Sequence, residues 1–273
     1  IKWTRVFSPA PYFRWNLAEP SEGNFVWYDN EISVAVNNGI SILGTLSGPP
    51  TYGNGGTTII SRYGPTWAMS SNGLPNLTKW ENFVRKVVDH YKPYVKYWEV
   101  WNEPNHQKTA FPLFSETFYA ELLKRTAIVI KSVDPTAKIV AMGGTDAGYM
   151  QNVYAILEAQ EAGWVRNNIE IFSGHAYPGG HTGASYSTII NNLNIPVWNT
   201  EAGAWDLGFY QGDYASFLPW GVSANISERF SKGMLTKPED LVKNFIESVG
   251  NGMSKYFYYD SRMFSSLDSF DTH

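Results

Sequence analysis

Apolar and polar positions along the 273 residues follow two periods in turn. Short runs rich in aromatic and β-branched residues read as strands: 2–8, 40–46, 94–101, 137–142, 169–177, 195–203 and 254–259. Between several of them the spacing turns helical. Asp29 is placed to cap a helix that runs to about Asn37 and stops at Gly39. Trp80, Phe83, Val84, Val87, Val88 and Tyr91 share one helical face, as do Phe118, Leu122, Leu123, Ala127, Val129 and Ile130 in 115–133. Further helices are predicted over about 148–159 and 238–249. Strands alternating with helices predict an α/β fold with a parallel sheet. The length suits a single domain over 1–273 of the (β/α)8 TIM-barrel type, which commonly takes about 250 residues. Gly143-Gly144, directly after a strand, are expected to form a tight turn; the spacing of a dinucleotide fingerprint is missing.

Two strands end on a carboxylate. The run Tyr94–Trp101 stops before Pro104, which cannot continue a central strand, and so leaves Asn102 and Glu103 at its tip. Thr200-Glu201 close 195–203 in the same way. By strand alternation Glu99, Trp101 and Glu103 should point one way, with Glu99 buried beneath the tip in a structural ion pair. Arg5 shares parity with Trp3 and Phe7; turned into an apolar interior, it would need a partner.

Composition removes several classes. The net charge of −4 and the lack of a long basic run argue against a nucleic-acid partner. No run of 18 apolar residues exists to span a membrane as a helix. Without cysteine there is neither a disulfide framework nor a thiolate metal site, and the five histidines are scattered without ligand spacing. Aromatic residues make up 16% of the chain. They suit sugar faces, but they also suit a core, and composition alone does not separate the two.

The segment Trp-Glu-Val-Trp-Asn-Glu-Pro-Asn, 98–105, resembles the strand-4 signature of glycoside hydrolase clan A and is most similar to family 39. Thr200-Glu201-Ala202-Gly203 is similar to the clan's strand-7 segment, His175-Ala176-Tyr177 to its strand-6 end, and Glu19–Asp29 to its loop after strand 2. The resemblance implies a retaining β-glycosidase with Glu103 as acid/base and Glu201 as nucleophile. It further implies an Arg5 that hydrogen-bonds the nucleophile and an Asn102 that bonds the sugar 2-hydroxyl. His175 and Tyr177 would serve the nucleophile or the sugar, and Trp205 and Tyr259 would contact substrate. Tyr258 and Tyr259 are the candidates for the aromatic platform the clan often places after strand 8. The partner implied is a carbohydrate; neither metal nor organic cofactor is required. Oligomeric state and localisation stay open, with an extracellular setting favoured. The long segment 51–77, with Tyr52 and Trp67, reads as a cleft wall or as a tolerated insertion, and the aromatic segment 204–237 as further sugar subsites or as a surface packed against something outside this sequence. Because the resemblance begins at strand 2, strand 1 and the last helix are expected to lie outside this sequence, leaving a fragment of a longer chain with poor stability alone. Two other classes are a catalytically inactive carbohydrate-binding barrel and a barrel enzyme acting on phosphorylated metabolites. No glycine-rich loop pairs with a basic residue near strands 7 and 8, which disfavours the latter.

Overall fold

A computed structural model describes residues 2–6, 12–48, 66–109, 112–177, 183–202 and 238–258. The chain divides into two compact units, Ile1–Gly174 and His175–His273.

The first unit holds five strands: β1 (Trp3–Val6), β2 (Ser41–Leu46), β3 (Tyr97–Val100), β4 (Lys138–Thr145) and β5 (Ile171–Gly174). They lie parallel and in chain order. Helices fill the intervals: α1 (Trp15–Ala18), α2 (Asp29–Asn37), α3 (Leu77–Tyr91), α4 (Glu116–Val133), α5 (Ala147–Gln160) and α6 (Trp164–Asn168). The second unit repeats the unit of construction with α7 (Gly183–Leu193), β6 (Val197–Ala202), α8 (Pro238–Gly250) and β7 (Lys255–Tyr258), β6 and β7 being parallel. This is the βα repeat of a TIM barrel, and the described residues supply seven of its strands.

The helical spacing read from the sequence gives the buried face of α3 residue for residue: Trp80, Phe83, Val84, Val87, Val88 and Tyr91. Asn76 caps this helix, its side chain accepting from the Lys79 N–H at 3.1 Å. In α4 the predicted Leu122, Leu123, Ala127, Val129 and Ile130 are buried, while at the start of the helix Tyr119 is buried and Phe118 only partly so. Asp29 begins α2 rather than capping it, and its carboxylate instead pairs with His90 at 2.7 Å. All the strands but β4 are shorter than their apolar runs, as β3 shows by starting at Tyr97 and not at Tyr94, whereas β4 runs on to Thr145.

The glycine pair forms no turn. β4 runs through Gly143 and Gly144 with a register irregularity, and Met142, Gly143 and Gly144 have φ of 80°, 57° and 78°. Ser173 stitches the bulge: its hydroxyl donates to the Ala141 carbonyl and accepts from the Gly144 N–H, both at 2.9 Å. Trp15, Trp80, Trp98 and Trp101 are fully buried. Much of the tryptophan in this unit therefore serves the core.

Candidate active site

β3 ends at Val100, and the next residues leave strand geometry abruptly. Trp101 has φ 69° and Glu103 φ 45°, left-handed values that cost a non-glycine residue about 1–3 kcal/mol each. This break overturns the expected alternation. Glu99 does face inward as predicted, fully buried, with Arg5 Nε at 2.6 Å and Thr45 Oγ1 at 2.8 Å from its Oε2. Trp101, however, does not follow it. Its ring packs on Trp80 of α3 and on Phe114, at 5.3 Å in each case, so it joins the aromatic cluster in which Trp98 packs against Phe13. A Cβ on Gly48 would fall 2.3 Å from the Trp101 ring, so only glycine lets the indole in.

With Trp101 anchored, Asn102 and Glu103 are presented at the strand's carboxyl end, 6% and 9% exposed. Main-chain bonds hold them. The Glu103 N–H donates to the Gly143 carbonyl at 2.6 Å, and its own carbonyl accepts from the His106 N–H at 2.9 Å. The buried Gln107 amide donates to the carbonyls of both Asn102 (3.0 Å) and Glu103 (3.1 Å). Gly143 is needed for this approach: a Cβ there would lie 3.0 Å from the carbonyl oxygens of Val100 and Trp101. Tyr119 braces the segment from behind by donating to the Val100 carbonyl at 2.9 Å. Burial pushes its phenol well up, so it stays a neutral donor. Arg5 Nη2 donates to Asn102 Oδ1 at 2.6 Å, which leaves the amide NH2 of Asn102 as the group to donate elsewhere. The chain then turns through a 3₁₀ helix, Pro104–Thr109. There Asn105 donates to Asp146 at 3.0 Å, while His106 is exposed.

In the second unit Glu201 lies within β6, 7% exposed. Tyr177 donates its hydroxyl to Glu201 Oε1 at 2.7 Å, and His175 Nε2 stands 4.0 Å from Oε2. The His175 and Tyr177 rings are nearly perpendicular, at 88°. The structure thus brings Arg5 to Asn102, and His175 and Tyr177 to Glu201. Trp205, Tyr259, Tyr52 and the segment 204–237 lie outside the described residues, and Tyr258 closes β7. Trp67, read as a cleft-wall residue, is half-buried edge-on against Trp15, with the Lys79 ammonium 5.3 Å from its ring centre. Sequence reasoning passed over Gln107, Tyr119, Thr45 and Asn199. Nothing in their local pattern marks them, because each acts on a backbone or side-chain group from another part of the chain or from the next turn.

Comparison with known proteins points the same way. The sequence matches the family model described as glycosyl hydrolases family 39 over residues 61–200, half of the chain. No curated protein matches it in sequence. Among solved structures, a family 39 β-xylosidase from Caulobacter crescentus is similar at 19% identity and TM-score 0.54, over 74% of this chain and 46% of that one. A family 39 glycoside hydrolase from the gut symbiont Bacteroides cellulosilyticus is 20% identical, with TM-score 0.52, over 89% and 53%. A xylanase from Paenibacillus barcinonensis is 17% identical, with TM-score 0.57, over 90% and 74%. These likenesses show the TIM-barrel fold; the chain spans about half the length of the two family 39 structures. With the Trp-Asn-Glu-Pro tip lying inside the matched residues, the chain belongs to glycosyl hydrolases family 39.

Proposed function

We propose that this chain is a retaining glycoside hydrolase that cleaves β-glycosidic bonds in oligo- or polysaccharides, with Glu201 as nucleophile and Glu103 as general acid/base. The observation that carries this reading is the pair of nearly buried carboxylates, each at the carboxyl end of a parallel strand and each with its own fixed supports. In TIM-barrel enzymes the carboxyl ends of the strands are the catalytic face.

Glu201, ionised, attacks the anomeric carbon, while Glu103 passes its proton to the glycosidic oxygen and the aglycone leaves as an alcohol. Glu103, now a carboxylate, takes a proton from water; the water oxygen attacks the anomeric carbon and Glu201 departs. The Tyr177 hydrogen bond to Oε1 orients the attacking carboxylate. Asn102, its carbonyl oxygen held by Arg5, donates its NH2 to the sugar 2-hydroxyl. Trp205 and Tyr259 are proposed as further sugar contacts. The two carboxylates suffice, and no step calls on a metal or cofactor. The similar β-xylosidase and xylanase make xylose-based substrates the first to try.

The test is turnover of a panel of aryl β-glycosides, β-xylosides first, by the chain and by Glu201→Ala. Turnover lost in the variant supports the reading. Sugar binding without turnover by the unaltered chain would identify a carbohydrate-binding barrel instead. The mechanism also requires the Glu103 and Glu201 carboxyls to lie about 5–5.5 Å apart in a crystal structure; a separation beyond about 9 Å would exclude retention.

A further inference from the structure

β5 ends at Gly174, so the residues that carry His175 and Tyr177 have left the regular strand. Ala176, between the two rings and fully buried, has both of its backbone groups taken up by side chains. Its N–H donates to Asn199 Oδ1 at 3.2 Å. Its carbonyl accepts from Asn244 Nδ2 at 2.9 Å and, more weakly, from Asn199 Nδ2 at 3.4 Å. The Asn199 amide therefore pairs with both groups of one residue, as a neighbouring strand would.

The network extends further. Asn199 Nδ2 also donates to Ser248 Oγ at 3.1 Å, and Asn244 Oδ1 accepts from the Tyr256 hydroxyl at 2.7 Å. Asn199, Asn244 and Ser248 are all at most 2% exposed. Burying such groups costs free energy, and only full pairing offsets it. Among the described side chains of α8, the buried ones are Asn244 and Ser248, both polar. The apolar residues Val242, Phe245, Ile246 and Val249 are instead 54%, 48%, 61% and 47% exposed.

We infer that Asn199 and Asn244 are positioning residues: they fix the two peptides flanking Ala176 and thereby aim the Tyr177 hydroxyl at Glu201. The inference rests on Glu201 being the nucleophile. Asn199 lies two residues before Glu201 on β6, so one strand carries both the carboxylate and the clamp that orients its hydrogen-bond donor. Tyr256 of β7 secures the clamp at its far end.

The test is a double-variant cycle on the 273-residue chain, with kcat, KM and Tm measured on an aryl β-xyloside. Tyr177→Phe and Asn199→Ala are each expected to lower kcat by about tenfold, with KM changing less than about twofold. In the Tyr177→Phe background, Asn199→Ala should cost less than about a further twofold, because the two act through one hydrogen bond. Effects that multiply, or a lowered Tm with kcat unmoved, would overturn the inference. Should Asn199→Ala not fold, Tyr256→Phe removes a single hydroxyl at the far end of the same chain of bonds. It is expected to lower kcat about two- to fivefold and to lose that effect in the Tyr177→Phe background. A wild-type chain that turns over no glycoside would defeat the proposed function, and crystal structures of Asn244→Leu and Tyr256→Phe then decide the positioning. A Tyr177–Glu201 distance beyond about 3.5 Å in Asn244→Leu supports it. The bond staying at 2.7 Å in both variants overturns it.

Discussion

Glu103 stands on backbone that has left its strand, whereas Glu201 stands inside one. The β3 tip carries left-handed φ at Trp101 and Glu103, and main-chain hydrogen bonds together with the Gln107 amide hold it in place. The β6 tip keeps strand form through Ala202, and what is fixed there is a carboxylate oxygen, by the Tyr177 hydroxyl. The first arrangement places a carboxyl by straining the chain beneath it. The second takes the placement from a regular strand and tunes only its hydrogen bond. This division suits the proposed roles. A general acid must present its proton to a bond beside the sugar, so its position matters most; a nucleophile must expose one oxygen, so its orientation matters most.

The largest effect that separates the two tips is chemical. Glu201→Ala should abolish turnover of every substrate. Glu103→Ala should lower kcat/KM by about 10²–10⁴ on substrates with poor leaving groups, spare those with good ones, and be partly rescued by azide. The check is a leaving-group series of aryl glycosides for both variants. Wild-type rates in both would remove these residues from the mechanism.

Next comes the ion pair beneath Glu103. Glu99 is fully buried, and the Arg5 side chain is 5% exposed. Arg5→Met would leave a buried carboxylate uncompensated and is expected to cost about 3–5 kcal/mol in chemical denaturation. Arg5→Met with Glu99→Gln should cost clearly less than Arg5→Met alone, since no charge is then left unpaired. Equal losses would mean that Arg5 acts mainly through Asn102.

The contrast also explains what could be read in the sequence. The β6 tip was legible as a strand ending in Thr-Glu because it remains one, and the α3 face was legible because helical spacing alone sets it. The pairing of Glu99 was legible because a carboxylate two residues inside an apolar strand must find a cation. The direction of Trp101 was not. Alternation predicts it only while φ stays in the strand region, and the left-handed turn is imposed by contacts with Gly48 and Gly143, which lie far off in sequence. Gly143-Gly144 read as a turn for the same reason: a glycine needed for close approach looks locally like one needed for chain reversal. Asn199 and Asn244 have no local signature at all, since their partner is a backbone group on another segment.

Gly143→Ala tests the strained tip more gently. The new methyl group would sit at φ 57° and 3.0 Å from two carbonyl oxygens of the Glu103 segment. A loss of about 1–3 kcal/mol is expected in urea unfolding. The fall in kcat should be larger on poor leaving groups than on good ones, because the displaced group is the acid. A uniform fall across the leaving-group series would show that Gly143 supports the fold and not Glu103 in particular.

The smallest effect should come from Asn102, the proposed donor to the sugar 2-hydroxyl. Arg5 takes its Oδ1 at 2.6 Å, so rotating the amide would set its NH2 against the guanidinium; the NH2 is the group the proposed mechanism turns to the sugar. A hydrogen bond to the 2-hydroxyl that strengthens in the transition state lowers the barrier more than it tightens binding. Asn102→Ala is therefore expected to reduce kcat about tenfold on a 2-hydroxy glycoside, in keeping with about 1.4 kcal/mol for one such bond, and to leave KM nearly unchanged. On the matching 2-deoxy glycoside the same substitution should change kcat less than about twofold, because the partner hydroxyl is gone. An equal loss on both substrates would place Asn102 with Arg5 and Glu99 as support for the strand tip, and the sugar contact would have to be sought elsewhere.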